Sequence, residues 1–122
     1  MSYQDMMNSL IQNGYISIVT ILDPNGVVYW TNQPDWEVDG PGVLKSWKNR
    51  EPGIAISGTR FSVMINEWES GRLVARNVGG AGAIVIVRAP NNYFFLTWTA
   101  GDVQIPPTNI YTEVERMASL FR

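Results

Sequence analysis

Apolar positions recur along this chain with two periods. Tyr3, Met6, Met7, Leu10 and Ile11 stand three, one, three and one apart, which draws an apolar stripe down a helix. Ser2 with Asp5 supplies a hydroxyl cap and a first-turn acid. Asn13-Gly14 ends the helix, since both residues tolerate a left-handed backbone. From residue 15 the period falls to two. Ile16, Ile18, Thr20 and Leu22 share one face of a strand, and Tyr15, Ser17, Val19 and Ile21 the other. Asp23-Pro24-Asn25-Gly26 is a turn sequence, and 27–31 returns as the second strand of a hairpin.

A polar loop over 32–42 follows, and Val43, Leu44 and Trp47 then take helical spacing, predicting a short helix over 41–49. Glu51-Pro52-Gly53 breaks it. Strands are expected over 54–56, 60–66, 72–77, 83–88 and 93–99. A loop over 102–107 leads to a last helix from about residue 108, with Ile110, Val114, Met117, Ala118 and Phe121 on one side. Ile84-Val85-Ile86-Val87 and Phe94-Phe95-Leu96 are apolar on both faces, so those strands need cover on both sides. The helices must therefore lie on opposite faces of one sheet. No linker or repeat interrupts the pattern, and 1–122 reads as a single domain.

Composition narrows the chemistry. The 122 residues are 45% hydrophobic and 16% charged, with a net charge of −2 that gives no footprint for nucleic acid. Histidine is absent, which removes the side chain best suited to proton transfer near neutral pH and the commonest transition-metal ligand. Cysteine is absent too, so no disulfide or thiol chemistry is available, in keeping with a cytoplasmic protein. Residues 1–13 are amphipathic rather than signal-like, and no apolar run reaches the length of a membrane span. The reading is a protein that binds rather than catalyses, with no cofactor. Asp35, Glu37 and Asp39 match no Ca²⁺ loop and read as a solvated acidic segment. Gly79-Gly80-Ala81-Gly82 stands between two strands, whereas a phosphate loop needs a helix N-terminus.

Four stretches carry a family resemblance. The opening Met1-Ser2-Tyr3-Gln4 places an aromatic at position 3. Val28-Tyr29-Trp30 follows a turn, and Ile56-Ser57-Gly58-Thr59-Arg60-Phe61-Ser62-Val63 is a Gly-x-Arg-Phe strand. After the Gly-rich turn and two apolar strands, the chain closes on Glu115-Arg116-Met117-Ala118-Ser119-Leu120-Phe121-Arg122. Together and in this order these resemble the profilins, in a divergent and archaeal form. The resemblance implies an α+β fold. It has a central antiparallel sheet of about five to seven strands, with N- and C-terminal helices side by side on one face and a shorter helix on the other. It further implies a monomeric cytoplasmic, cytoskeletal protein that binds actin monomers and regulates filament assembly.

Carried over residue by residue, the resemblance puts the actin surface at Arg60, Val63, Val74, Arg76, Ala83, Val85 and Arg116. Arg116 stands where some profilins carry an acid, and Ala83 and Val85 replace polar residues. A polyproline groove is implied at Tyr3, Trp30 and Phe121, with Phe121 on the last turn of the C-terminal helix. An aromatic common beyond that helix has no counterpart before Arg122, so binding of proline-rich peptides is expected to be weak or absent.

Several of these residues also admit plainer readings. Tyr3 and Phe121 lie on apolar stripes and fit a core, and Trp30 fits the cap of a sheet. Arg60, Arg72, Arg76 and Arg88 form either a basic band for a phosphoinositide or an acidic partner, or four solvated strand charges. Trp68, between Glu67 and Glu69 at a hairpin tip, either anchors an interface or folds back on the sheet, and Trp36 poses a similar choice. Two other functions suit a helix-flanked sheet without catalytic residues. One is a roadblock or longin-like module for a small GTPase; the other is a PAS-type sensor, which needs an internal cavity.

Overall fold

The first helix begins as its cap sequence predicts. In the computed structural model, which describes residues 2–122, Ser2 Oγ accepts from the Asp5 amide at 3.1 Å, and the Ser2 amide donates to Asp5 Oδ2 at 3.3 Å. The part played by Met1 in the opening motif lies outside the described residues. Helix α1 (Tyr3–Gln12) ends when Gly14 takes φ of 77°, while Asn13 stays right-handed. The left-handed step thus falls on glycine alone, where it carries no Cβ penalty.

Seven antiparallel strands follow among the described residues: β1 (Ile18–Leu22), β2 (Val28–Thr31), β3 (Gly53–Ile56), β4 (Thr59–Glu67), β5 (Arg72–Arg76), β6 (Ala83–Arg88) and β7 (Phe94–Thr99). They form one sheet in the order β2-β1-β7-β6-β5-β4-β3. Helix α2 (Gly40–Lys48) is capped by Asp39, whose Oδ1 accepts from the Gly42 amide, and helix α3 (Pro107–Ala118) closes the chain. Strand β1 is shorter than expected. The Tyr15 amide is taken by Leu10 O as α1 ends, so the chain is still leaving the helix there.

The sheet separates two cores. Val19, Ile21, Val74, Val85 and Phe95 face α1 and α3, where they meet Met7, Leu10, Val114 and Met117. Leu73, Ile84, Ile86, Phe94 and Leu96 face α2 and enclose Trp47. The doubly apolar strands β6 and β7 are the ones covered on both sides, as their composition requires. Trp68 folds back, its ring 4.8 Å from Trp47 and stacked at 6.0 Å on Phe94, and Trp36 packs against the same core.

Strand β4 holds a bulge between Val63 and Ile65. Before it, Phe61 and Val63 face α2; after it, Ile65 faces the α3 core. The extra residue, Met64, is 55% exposed.

Candidate partner-binding surfaces

Beyond the N-terminal end of α3 the sheet is uncovered. Cross-strand register sets Ser62, Arg76 and Ala83 in a row on β4, β5 and β6. Arg60 and Arg76 are exposed, and among the described residues neither has an ion-pair partner. A groove of about 420 Å³ runs past Ser62, Met64, Arg76, Val78 and Ala83 to Ile110 on α3. Unpaired guanidinium groups on rigid strands beside apolar surface make a polar rim for a protein partner.

A polar chain ties α3 to the strands next to this groove. Arg72 Nη2 lies 2.8 Å from Glu67 Oε2, and its guanidinium covers the Tyr111 ring at 4.8 Å. The Tyr111 hydroxyl donates in turn to Glu115 Oε2. The Glu67 hydrogen bond holds the Arg72 pKa above its ordinary value. Burial, reinforced by the Glu115 hydrogen bond, pushes Tyr111 up to about 12. Arg116 lies further along α3, its side chain 64% exposed and 3.4 Å from Glu113.

A second surface lies at the other edge of the sheet. Tyr3 meets Phe121 edge-on at 4.8 Å, and Phe121 also contacts Tyr93 at 5.4 Å and Phe95 at 5.3 Å. Tyr29 completes the cluster, 5.3 Å from Tyr93. Tyr3, Met7, Tyr29 and Trp30 line an open groove beside α1, with Gln4 and Asn8 on its rim. Tyr29 is 59% exposed and Trp30 is 43% exposed.

The sequence is 40% identical over 86 residues to Odin profilin of Odinarchaeota yellowstonii, spanning 70% of this chain and 68% of that protein. The chain belongs to the profilin family. Thor profilin, from a Thorarchaeota archaeon, is 28% identical across 84% of this chain and 79% of its own length. No protein-family profile matches the sequence. The fold is that of the structure described as the LokiProfilin2/rabbit actin complex, with a TM-score of 0.76 at 14% identity over 94% of this chain and 91% of that one. It is likewise that of mouse profilin IIa in complex with a double repeat from the FH1 domain of mDia1. There the TM-score is 0.73 at 14% identity, over 100% of this chain and 97% of that one. The expected fold and archaeal kinship therefore hold, and the roadblock, longin and PAS readings give way to a profilin.

Individual positions fare unevenly in this profilin. Arg60, Arg76 and Arg116 are exposed on the α3 side, and Ala83, 9% exposed, forms part of the groove floor. Val74 and Val85 are corrected: at 0% and 1% exposure they lie in the core under α3 and have no surface for a partner. Val63 is corrected too, because the strand carries it to the α2 face before the bulge. Phe121 sits past the end of α3 rather than on its last turn, although its ring still joins Tyr3. The band of four arginines is divided. Arg88 shares the face of Ile84 and Ile86, donates to Glu69 O and lies over Trp68, while Arg72 is paired with Glu67. Tyr29 and Tyr93 were missed as members of the aromatic surface. The adjacent aromatics in Val28-Tyr29-Trp30 were the available signal, and a bulge opposite Ile21 and Leu22 brings both to one groove.

Proposed function

We propose that this profilin binds an actin monomer through the α3 side of its sheet and so regulates filament assembly, acting in the cytoplasm and by binding alone. The observation that carries this reading is the family membership shown by the Odin relative. The LokiProfilin2 complex with rabbit actin supports it through the shared fold. Within the chain, the unpaired Arg60 and Arg76 beside the apolar groove, with Arg116 further along α3, form the surface best suited to a large partner. Covering one end of a monomer blocks addition there and leaves the other end free. The test is spontaneous polymerisation of the actin homologue from the same organism. Added protein slows it, and Arg76→Glu weakens the complex several-fold without lowering the thermal midpoint. An unaltered polymerisation rate, with no complex formed, contradicts the reading.

The aromatic groove favours a second ligand at a separate place. Proline-rich segments are pre-formed in an extended left-handed helix and lie on exposed rings at small ordering cost. Tyr3, Tyr29 and Trp30 provide such rings, and Phe121 supports Tyr3 from below. Weak binding of a proline decamer, abolished by Trp30→Ala with actin binding intact, is the expected result. Equal binding by wild type and variant contradicts this assignment.

A further inference from the structure

We propose that Val78, at the tip of the turn between β5 and β6, is a pre-organised anchor that enters an apolar, carboxylate-edged cleft on the actin subunit. The inference rests on the actin reading above and extends the contact surface past the strands.

Val78 is 91% exposed, more than any other large apolar side chain among the described residues. An exposed valine on a loose loop would mean little, but this loop is held from three sides. Asn77 Oδ1 accepts from the Gly79 and Ala81 amides at 2.8 and 3.0 Å, and its Nδ2 donates to Arg60 O at 2.8 Å. The Asn77 amide donates to Gly82 O at 2.9 Å. Trp98 Nε1 donates to Ala81 O at 2.9 Å, pinning the far side of the turn to β7. A Cβ on Gly101 would stand 1.8 Å from Gly80 O, so the neighbouring loop is in backbone contact with the turn. Gly101 against Gly80 O and Gly82 against Thr99 O thus admit the protein's own backbone, and the one large side chain left facing solvent is the valine.

Fixing the loop beforehand removes the ordering cost that a flexible loop would meet on binding. Val78 and the exposed Met64 line the same groove as Arg76, and Arg60 is held to Asn77 through its carbonyl. An apolar knob sharing a groove with the unpaired Arg76, with Arg60 one strand further along, matches an apolar cleft with an acidic edge.

The test is titration of the whole chain against the monomeric actin homologue of its organism. Val78→Ser removes the apolar surface without adding charge and is expected to weaken binding about tenfold, with Val78→Ala intermediate. The thermal midpoint should not move, because the side chain touches little in the free protein. Asn77→Ala keeps the valine but frees the loop. It should weaken binding as well, with faster amide exchange over 78–82. Equal affinity of wild type, Val78→Ser and Asn77→Ala overturns the anchor while leaving the actin reading intact. Absence of wild-type binding overturns both.

Discussion

Tyr111 shows how much one residue can report. The residue is half-buried, its ring lies under the Arg72 guanidinium, and its pKa is pushed up to about 12 by burial first and by Glu115 second. In the unfolded chain a tyrosine loses its proton near pH 10. The folded state thus keeps a proton that the unfolded state has released, so this contribution is fully present below pH 10 and is lost as pH rises through 12. Denaturant titrations across that interval should show stability falling with pH, and Tyr111→Phe should flatten part of the fall. An unchanged slope in the variant contradicts the assignment. Residue identity was a poor guide elsewhere at this scale. Val74 and Val85 sit on strands correctly placed from the sequence, yet whether a strand valine faces a partner or a helix depends on how far α3 extends over it. That distance is set by packing and leaves no mark in the strand's own pattern.

Secondary-structure elements were the most legible level, because caps and turns are local chemistry. The Ser2–Asp5 pairing is readable from four residues, and Ser2→Ala should cost about 1 kcal/mol of stability by thermal or denaturant unfolding. No measurable loss would mean that the cap contributes nothing in this context. The bulge in β4 was not legible. Arg60-Phe61-Ser62-Val63-Met64-Ile65 alternates well enough to pass for a regular strand, and the slip that exposes Met64 and turns Ile65 toward α3 arises only on pairing with β5. The Gly-rich turn was read correctly as a turn and not as a phosphate loop. Gly82 admits Thr99 O, and Gly101 in the neighbouring loop admits Gly80 O, close approaches that no local signal reveals. Gly101→Ala would force a Cβ against backbone and should destabilise by about 1–3 kcal/mol, measured by thermal unfolding. Unaltered stability would show that the two loops can separate freely.

At the scale of the molecule the architecture follows from one requirement. Strands apolar on both faces must be roofed twice, and α1 with α3 on one side and α2 on the other satisfy it. That much was present in the sequence, along with the helix order. The aromatic surface was only partly legible. Tyr3, Trp30 and Phe121 are separated by most of the chain, and Tyr29 and Tyr93 join them only after β2, β7 and the C-terminal segment are assembled. The two proposed surfaces draw on different residues, Arg60, Arg76 and Val78 for one and Tyr3, Tyr29 and Trp30 for the other. They should accept their ligands independently, so a saturating proline decamer should leave actin affinity within about twofold. Strong competition between the two would show that the sites overlap or are coupled.

The most direct measurement is calorimetric titration of the purified chain into monomeric actin homologue from its own organism, with Arg76→Glu in parallel. A saturable one-to-one complex that the reversed charge weakens, in a variant that unfolds at the wild-type temperature, is the predicted outcome. Heats no larger than those of dilution, together with unretarded filament growth, would contradict it.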